Sequence, residues 1–315
     1  MCKLVFHNDF SLLPELLAEY KSVYMINDAN VEEYADEIAG LIDLRGRMSI
    51  EATEDNKTMD TVLDIQRFLL ALGADRNAFV LAVGGGVTTD VAGFAASIYK
   101  RGIKCAYVPT TLLSQVDAAI GGKTGINLDA YKNMVGTFCQ PVFTYINPKT
   151  LDTLPQKELR SGAAEMLKTF IIEDNGHYEA AVKALSQGGD LSELVEAAAR
   201  VKAGVVERDP VEKGERRKLN LGHTFAHGIE WYEHTTGVQS PLSHGEAVAI
   251  GIVQVAKMTS EELSRKIADD FKACGLPTEL PYPVEALMPA MLKDKKNSDG
   301  KVKYVLVKSI GEVEQ

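Results

Sequence analysis

The sequence predicts an α/β amino-terminal domain, Rossmann-like, over residues 1–154, followed by a mostly α-helical domain over 155–315. Three observations carry this. Short β-rich runs alternate with helical patterns through the first half, a glycine-rich turn follows one of those runs directly, and beyond about residue 155 the texture shifts to long Ala- and Leu-rich segments.

The runs "SVYMIN" (22–27), "RMSIEA" (47–52), "AFVLAV" (78–83), "KCAYVP" (104–109) and "VFTYIN" (142–147) are apolar and rich in Val, Ile, Tyr and Phe, which suits buried strands. Between them lie segments such as 58–72, whose Val62, Ile65, Leu69 and Leu72 recur at helical spacing. Strand, helix and strand in turn imply a parallel sheet with crossover helices. Past "TLPQKE", where Pro155 suits the first position of a helix, three long helical segments follow, with one late β-like run at 301–308.

A formal net charge of −10 makes general affinity for nucleic acid or anionic membrane surfaces improbable, so an anionic ligand needs a local basic cluster. No leader-like start and no uninterrupted apolar stretch of about 18 residues is present, so a cytoplasmic protein is expected. The four cysteines, scattered without a C-x-x-C pair, suggest neither a disulfide framework nor a thiolate zinc site.

"AFVLAV" runs straight into "GGGVTTDVAGFAASIY". Glycines at a strand-to-helix turn let backbone N–H groups approach a phosphate at the positive end of the helix, and a nucleotide is the natural guest. Thr89 stands where an ordinary dinucleotide fingerprint has its third glycine. A second glycine-rich stretch, 109–138, is expected to place Thr110, Thr111, Asp117, Lys123, Lys132 and Asn133 in loops at the carboxyl edge of the sheet, where open α/β sheets bind ligands.

The second domain supplies candidate metal ligands. His223 and His227, four apart, share a helical face. "SHGE" reads as a capping box that puts His244 in the first turn of an apolar helix, and Glu165 sits among small apolar neighbours, three residues before Lys168. Two imidazoles and a carboxylate would make a three-ligand site with positions open to substrate; helical spacing alone favours His223 and His227 as the imidazole pair. Lys202, Arg216, Asn220 and the pair Lys295/Lys296 would supply the basic cluster if they gather at that site.

At this point "GGGVTTDVAGFAAS", "KRG", "PTTLLSQVDAAIGGKTGIN", "KNMVGTF", "TLPQKELRSGAAEMLK", "LNLGHTFAHGIE", "LSHGEAVAIG" and "DKKN" together resemble the 3-dehydroquinate synthase family of sugar-phosphate cyclases, from about residue 20 to 311. The resemblance implies that fold, zinc or cobalt held by Glu165, His223 and His244, and NAD contacts at Asp28, Asn30, Glu54, Lys57, Gly85, Gly86, Asp90, Thr110, Thr111, Lys123, Lys132 and Thr153. It implies substrate contacts at Asp117, Lys123, Asn133, Lys168, Lys202, Arg216, Asn220, His227 and a lysine of "DKK". Arg101 of "KRG" is similar to the arginine that members reach across a homodimer to the partner's substrate phosphate.

The implied reaction converts 3-deoxy-D-arabino-heptulosonate 7-phosphate to 3-dehydroquinate and phosphate, a carbon–oxygen lyase step of the shikimate pathway in which NAD is regenerated at each turnover. Rival expectations are another sugar-phosphate cyclase, such as a 2-deoxy-scyllo-inosose or 2-epi-5-epi-valiolone synthase, a metal-dependent polyol dehydrogenase, and a regulatory module without turnover. Two departures from the family pattern are Thr89 in the glycine turn, expected to shift the pyrophosphate turn, and a chain that stops soon after "SIGEVEQ".

Overall fold

The computed structural model describes residues 2–129, 131–173, 176–293 and 302–315, which divide into two compact units, Met1–Leu154 and Pro155–Gln315. Lys295 and Lys296 lie outside the described residues.

In the first unit the chain runs β1 (Lys3–Phe6), α1 (Leu13–Leu17), β2 (Val23–Asp28), α2 (Glu32–Leu41), β3 (Leu44–Ile50), α3 (Met59–Ala71), β4 (Phe79–Gly84), α4 (Gly86–Ile98), β5 (Lys104–Pro109), β6 (Lys123–Leu128), β7 (Tyr131–Phe138) and β8 (Phe143–Ile146). Six strands form one sheet in the order β1-β8-β5-β4-β2-β3, every pairing parallel. Strand side chains alternate between its faces. Val23, Met25, Phe79 and Leu81 pack with Leu13, Leu17, Ala35 and Ile38 of α1 and α2. On the opposite face Tyr24, Ile26, Val80 and Ala82 meet Val62, Ile65 and Leu69 of α3 and Val91 and Ala95 of α4. Burial on both faces explains why these strands read as unbroken apolar runs.

Two differences from the sequence reading have physical reasons. β1 is a four-residue strand at the sheet edge, too short to announce itself. The stretch expected as loops after β5 forms the antiparallel hairpin β6–β7, carrying Lys123, Lys132 and Asn133 on strands. Glycines disguise it: Gly125 pairs with Gly136 so closely that a β-carbon on either would strike the opposite backbone.

In the second unit the elements are α5 (Gln156–Ile172), α6 (Tyr178–Gln187), α7 (Ser192–Arg208), α8 (His223–Thr236), α9 (His244–Lys257), α10 (Glu261–Ala273), α11 (Val284–Lys293), β9 (Leu306–Ser309) and β10 (Glu312–Glu314). Pro155 is the residue before α5 rather than its first. Every residue of α5 from Ser161 to Ile172 is buried, Glu165 and Lys168 included. A helix apolar all round belongs in a core, and α5 packs there against α9, which in turn carries α8. Ser243 caps α9 in a complete capping box, its hydroxyl accepting from Glu246 N while the Glu246 carboxylate accepts from Ser243 N. No helix among the described residues is long and apolar enough to cross a membrane.

Candidate functional site

The first unit offers a nucleotide cradle. β2 and β4 are neighbours although β3 lies between them in sequence, so the strand order reverses there, and ligands bind outside the carboxyl ends of such a pair. β2 ends at Asp28, whose carboxylate accepts from Asn30 N at 2.9 Å and Asn30 Nδ2 at 3.0 Å. β4 ends in the glycine turn, where a β-carbon on Gly84 would meet Asp28 Cβ at 3.0 Å, so the two strand ends touch. Gly85 precedes α4 with no side-chain cap, which leaves the first-turn N–H groups of α4 to an anion.

Thr110 N donates to Gly84 O at 2.9 Å, and Thr111 lies against Gly85. The buried hydroxyls of Thr88 and Thr110 have no hydrogen-bond partner. Thr89 folds inward, Oγ1 donating to Gly86 O at 3.0 Å, so the residue that replaces the usual glycine is absorbed by its own helix turn.

A second cluster forms around Lys57, whose Nζ donates to Asp90 Oδ2 and to Asn133 Oδ1, each at 2.6 Å. Burial pushes the Asp90 carboxyl up against the pull of Lys57, and the charges of Glu54 and Asp117 add to the rise. Asn127, which the sequence reading missed, ties this cluster together: Nδ2 donates to Glu54 Oε1 at 2.7 Å, and Oδ1 accepts from Asn133 N at 2.9 Å. Three expected residues stand elsewhere, with Lys123 and Lys132 exposed on the hairpin and Thr153 pairing its hydroxyl with Tyr34 at 2.8 Å. Arg101 is exposed in a turn where Lys100, Arg101 and Gly102 all have positive φ.

The second unit gathers three donors from three helices. Ligand atoms of Glu165 on α5, His223 opening α8 and His244 opening α9 lie within 4.8 Å of one another. Glu165 Oε1 is 3.9 Å from His223 Nε2 and 3.5 Å from His244 Nε2.

Glycines allow this approach. A β-carbon on Gly245 would strike the Ser161 carbonyl, one turn ahead of Glu165, and Gly245 N donates to Ser161 Oγ at 3.1 Å. On the far side of α9, Gly251 packs on Gly222, which takes φ +78° just before His223. His227, one turn along α8, sets its ring edge-on to His223 at 5.6 Å, so the three-donor cluster pairs His223 with His244 and not with the neighbour that helical spacing favours.

The donors suit a divalent cation. His223 Nδ1 pairs with Leu221 O at 3.1 Å and His244 Nδ1 with Glu230 Oε1 at 3.0 Å, which leaves each Nε2 turned toward Glu165. Both Glu165 oxygens are buried without a hydrogen bond of ordinary geometry, although Lys168 Nζ stands 2.5 Å from Oε2. Burial alone would raise the Glu165 pKa, but Lys168 and His244 hold it down at about 2. Burial disfavours a cation at His244, yet Glu230 and Glu165 push its pKa up to about 10.

Cations collect beside these donors. Lys168 also donates to Leu219 O at 2.9 Å, in a turn over 215–220 that packs on α5 and α7. That turn holds Arg216, 2% exposed, and Asn220, and α7 holds the buried Lys202. Asp209 shapes the approach to the turn by accepting from the backbone N–H groups of Lys213, Gly214 and Arg216. Glu230 was not singled out from the sequence; its only signal is that it falls seven residues after His223, on the same helical face.

Two family descriptions match the chain, 3-dehydroquinate synthase N-terminal over residues 47–161 and 3-dehydroquinate synthase C-terminal over 162–297. A 3-dehydroquinate synthase of Pyrococcus abyssi is 39% identical, covering 98% of this chain and 94% of that protein. The structure of a 2-epi-5-epi-valiolone synthase from Streptomyces hygroscopicus subsp. jinggangensis 5008, solved with NAD+ and Zn2+ bound, is 28% identical with a TM-score of 0.89, covering 100% of this chain and 92% of that one. A 2-deoxy-scyllo-inosose synthase complexed with carbaglucose-6-phosphate, NAD+ and Co2+ is 27% identical with a TM-score of 0.84, covering 99% and 90%.

Proposed function

The chain belongs to the 3-dehydroquinate synthase family, and from that premise we propose that it converts 3-deoxy-D-arabino-heptulosonate 7-phosphate to 3-dehydroquinate and phosphate, as a carbon–oxygen lyase of aromatic amino acid biosynthesis. The observation that carries the reading is the meeting of Glu165, His223 and His244 from three separate helices. These three hold zinc or cobalt in this reading, and the strand ends around Asp28, Gly85, Gly86, Thr110 and Thr111 hold NAD. When bound, the metal supplies Lewis acidity toward a hydroxyl and the ketone made from it, and NAD accepts and returns a hydride.

The chain's own residues bind and orient. Lys168, Lys202 and Arg216 are cations buried on elements packed together, a setting that favours a substrate bearing both carboxylate and phosphate over a neutral sugar. Asn220 and His227 border the same cluster and orient hydroxyl and phosphate oxygens. In the first unit the family resemblance assigns substrate contacts to Asp117, Lys123 and Asn133, and Lys57 donates to Asn133 Oδ1.

We assign the working form to a homodimer in which Arg101 reaches the partner's substrate. Supporting this, Met134 and Phe138 are exposed on one face of β7, and Thr137 bonds Ser97, next to the exposed Ile98. Four free thiols, three of them buried, suit the cytoplasm.

Supplying the heptulosonate phosphate with catalytic NAD and zinc tests the reading. Phosphate and dehydroquinate should appear in equal amounts with no net NADH; stoichiometric NADH would mark a dehydrogenase, and absence of phosphate from metal-loaded protein would refute the synthase. Turnover of a sugar phosphate without the carboxylate in its place would identify one of the other cyclases, the kind of enzyme seen in the solved relatives.

A further inference from the structure

The imidazole of His244 is spanned by two carboxylates, Nε2 lying 3.5 Å from Glu165 Oε1 and Nδ1 lying 3.0 Å from Glu230 Oε1. One of the two belongs to the metal cluster. The other is on a different helix, with its side chain 7% exposed.

Glu230 comes seven residues after His223 on α8. Seven residues is nearly two turns, so the two side chains share a face about 10 Å apart along the axis. His223 opens α8, and the same helix, two turns on, reaches the ring of His244, which opens α9.

We propose that Glu230 is the positioning residue of the metal site: its carboxylate takes the Nδ1 hydrogen of His244 and holds the Nε2 lone pair toward Glu165 and His223. The inference rests on the reading of these three residues as metal ligands. In a neutral imidazole a hydrogen fixed on Nδ1 leaves Nε2 as the donor atom, and a charged acceptor behind the ring makes that donor more basic.

The two histidines are held differently. His223 gives its Nδ1 to a backbone carbonyl, Leu221 O, which no side-chain replacement removes. His244 gives its Nδ1 to a side chain, Glu230 Oε1. α8 therefore sets both imidazoles, one through its own first residue and one through Glu230.

Cobalt(II) titration of the full-length protein tests this, with affinity from chelator competition and geometry from the visible absorption band. Glu230→Ala should weaken cobalt binding by about 10- to 100-fold and shift the band, with the folded circular dichroism signal of the metal-free protein retained. Glu230→Gln, which keeps a neutral acceptor of the same shape, should fall between the two. Wild-type affinity and an unshifted band in both variants would overturn the proposal. So would equal loss of affinity in both accompanied by loss of the folded circular dichroism signal, since that marks a purely structural role. Wild-type protein that binds cobalt but fails to release phosphate would defeat the synthase reading and leave this one intact, whereas wild-type protein that binds no cobalt would defeat the positioning role itself.

Discussion

Lys168 Nζ lies 2.5 Å from Glu165 Oε2, one turn apart on α5, and each side chain is 1% exposed. Removing one partner of a buried pair leaves an uncompensated charge, at a cost of about 3–5 kcal/mol. Lys168→Met should therefore lower the thermal midpoint of the metal-free protein by several degrees, and zinc should restore much of the loss because the cation takes over as counter-ion to Glu165. Thermal unfolding with and without zinc checks this; a variant destabilised equally in both states would mean that Lys168 and the metal do not share that carboxylate.

The two shifted groups of the cluster bracket a pH window. The Glu165 carboxyl is held at about 2, below its ordinary 4.5, so its contribution to stability is complete above 4.5 and is lost as pH falls through 2. His244 is raised from 6.5 to about 10, so its contribution is complete below 6.5 and is lost as pH rises through 10. For these groups the metal-free protein is most stable between 4.5 and 6.5. Metal must displace the His244 proton, so zinc affinity should rise by up to about tenfold per pH unit until pH nears 10, and level off above it. Denaturant titrations across pH, with and without zinc, measure both trends.

Glu233 carries a different load on the same helix. It is 3% exposed; Oε1 accepts from Tyr282 OH at 3.0 Å and Oε2 from Leu242 N at 2.9 Å, which fastens the segment leading into His244. Glu233→Ala would leave both donors without their acceptor, at a cost of about 2–4 kcal/mol. Urea unfolding should show that loss with the denaturant slope unchanged.

The outer face of the hairpin gives the proposed dimer a direct test. Met134 is 42% exposed and Phe138 53%, four residues apart on one face of β7. Met134→Asp with Phe138→Asp should halve the mass seen by sedimentation while the far-ultraviolet signal persists, and Arg101→Ala should cut turnover without changing that mass. A double variant that sediments like the parent would move the interface elsewhere.

Much of this is legible in the sequence, and the reason differs by element. Strands β2, β4, β5 and β8 read clearly because both faces of the parallel sheet are covered, so their apolar runs are unbroken. The hairpin hid behind Gly125 and Gly136, which keep its backbones close but carry no side chains for a period-two pattern.

At the metal cluster, Glu165, His223 and His244 were placed by resemblance. Local spacing pointed instead to His223 and His227, since a helical repeat reports only neighbours on one helix. Glu230 and Asn127 stayed hidden for the same reason: each acts on a residue from another element, and its spacing has meaning only once that element has docked.

The glycine contacts along α9 bear on which ions the cluster admits. Gly245 sits against the Ser161 carbonyl and Gly251 against Gly222, so the gaps from α9 to α5 and from α9 to α8 are fixed by main chain meeting main chain. Flexible side chains could yield to a larger ion; packed backbone cannot. The helix spacing is therefore set by main chain, and any adjustment to the radius of an ion falls to the side chains of Glu165, His223 and His244.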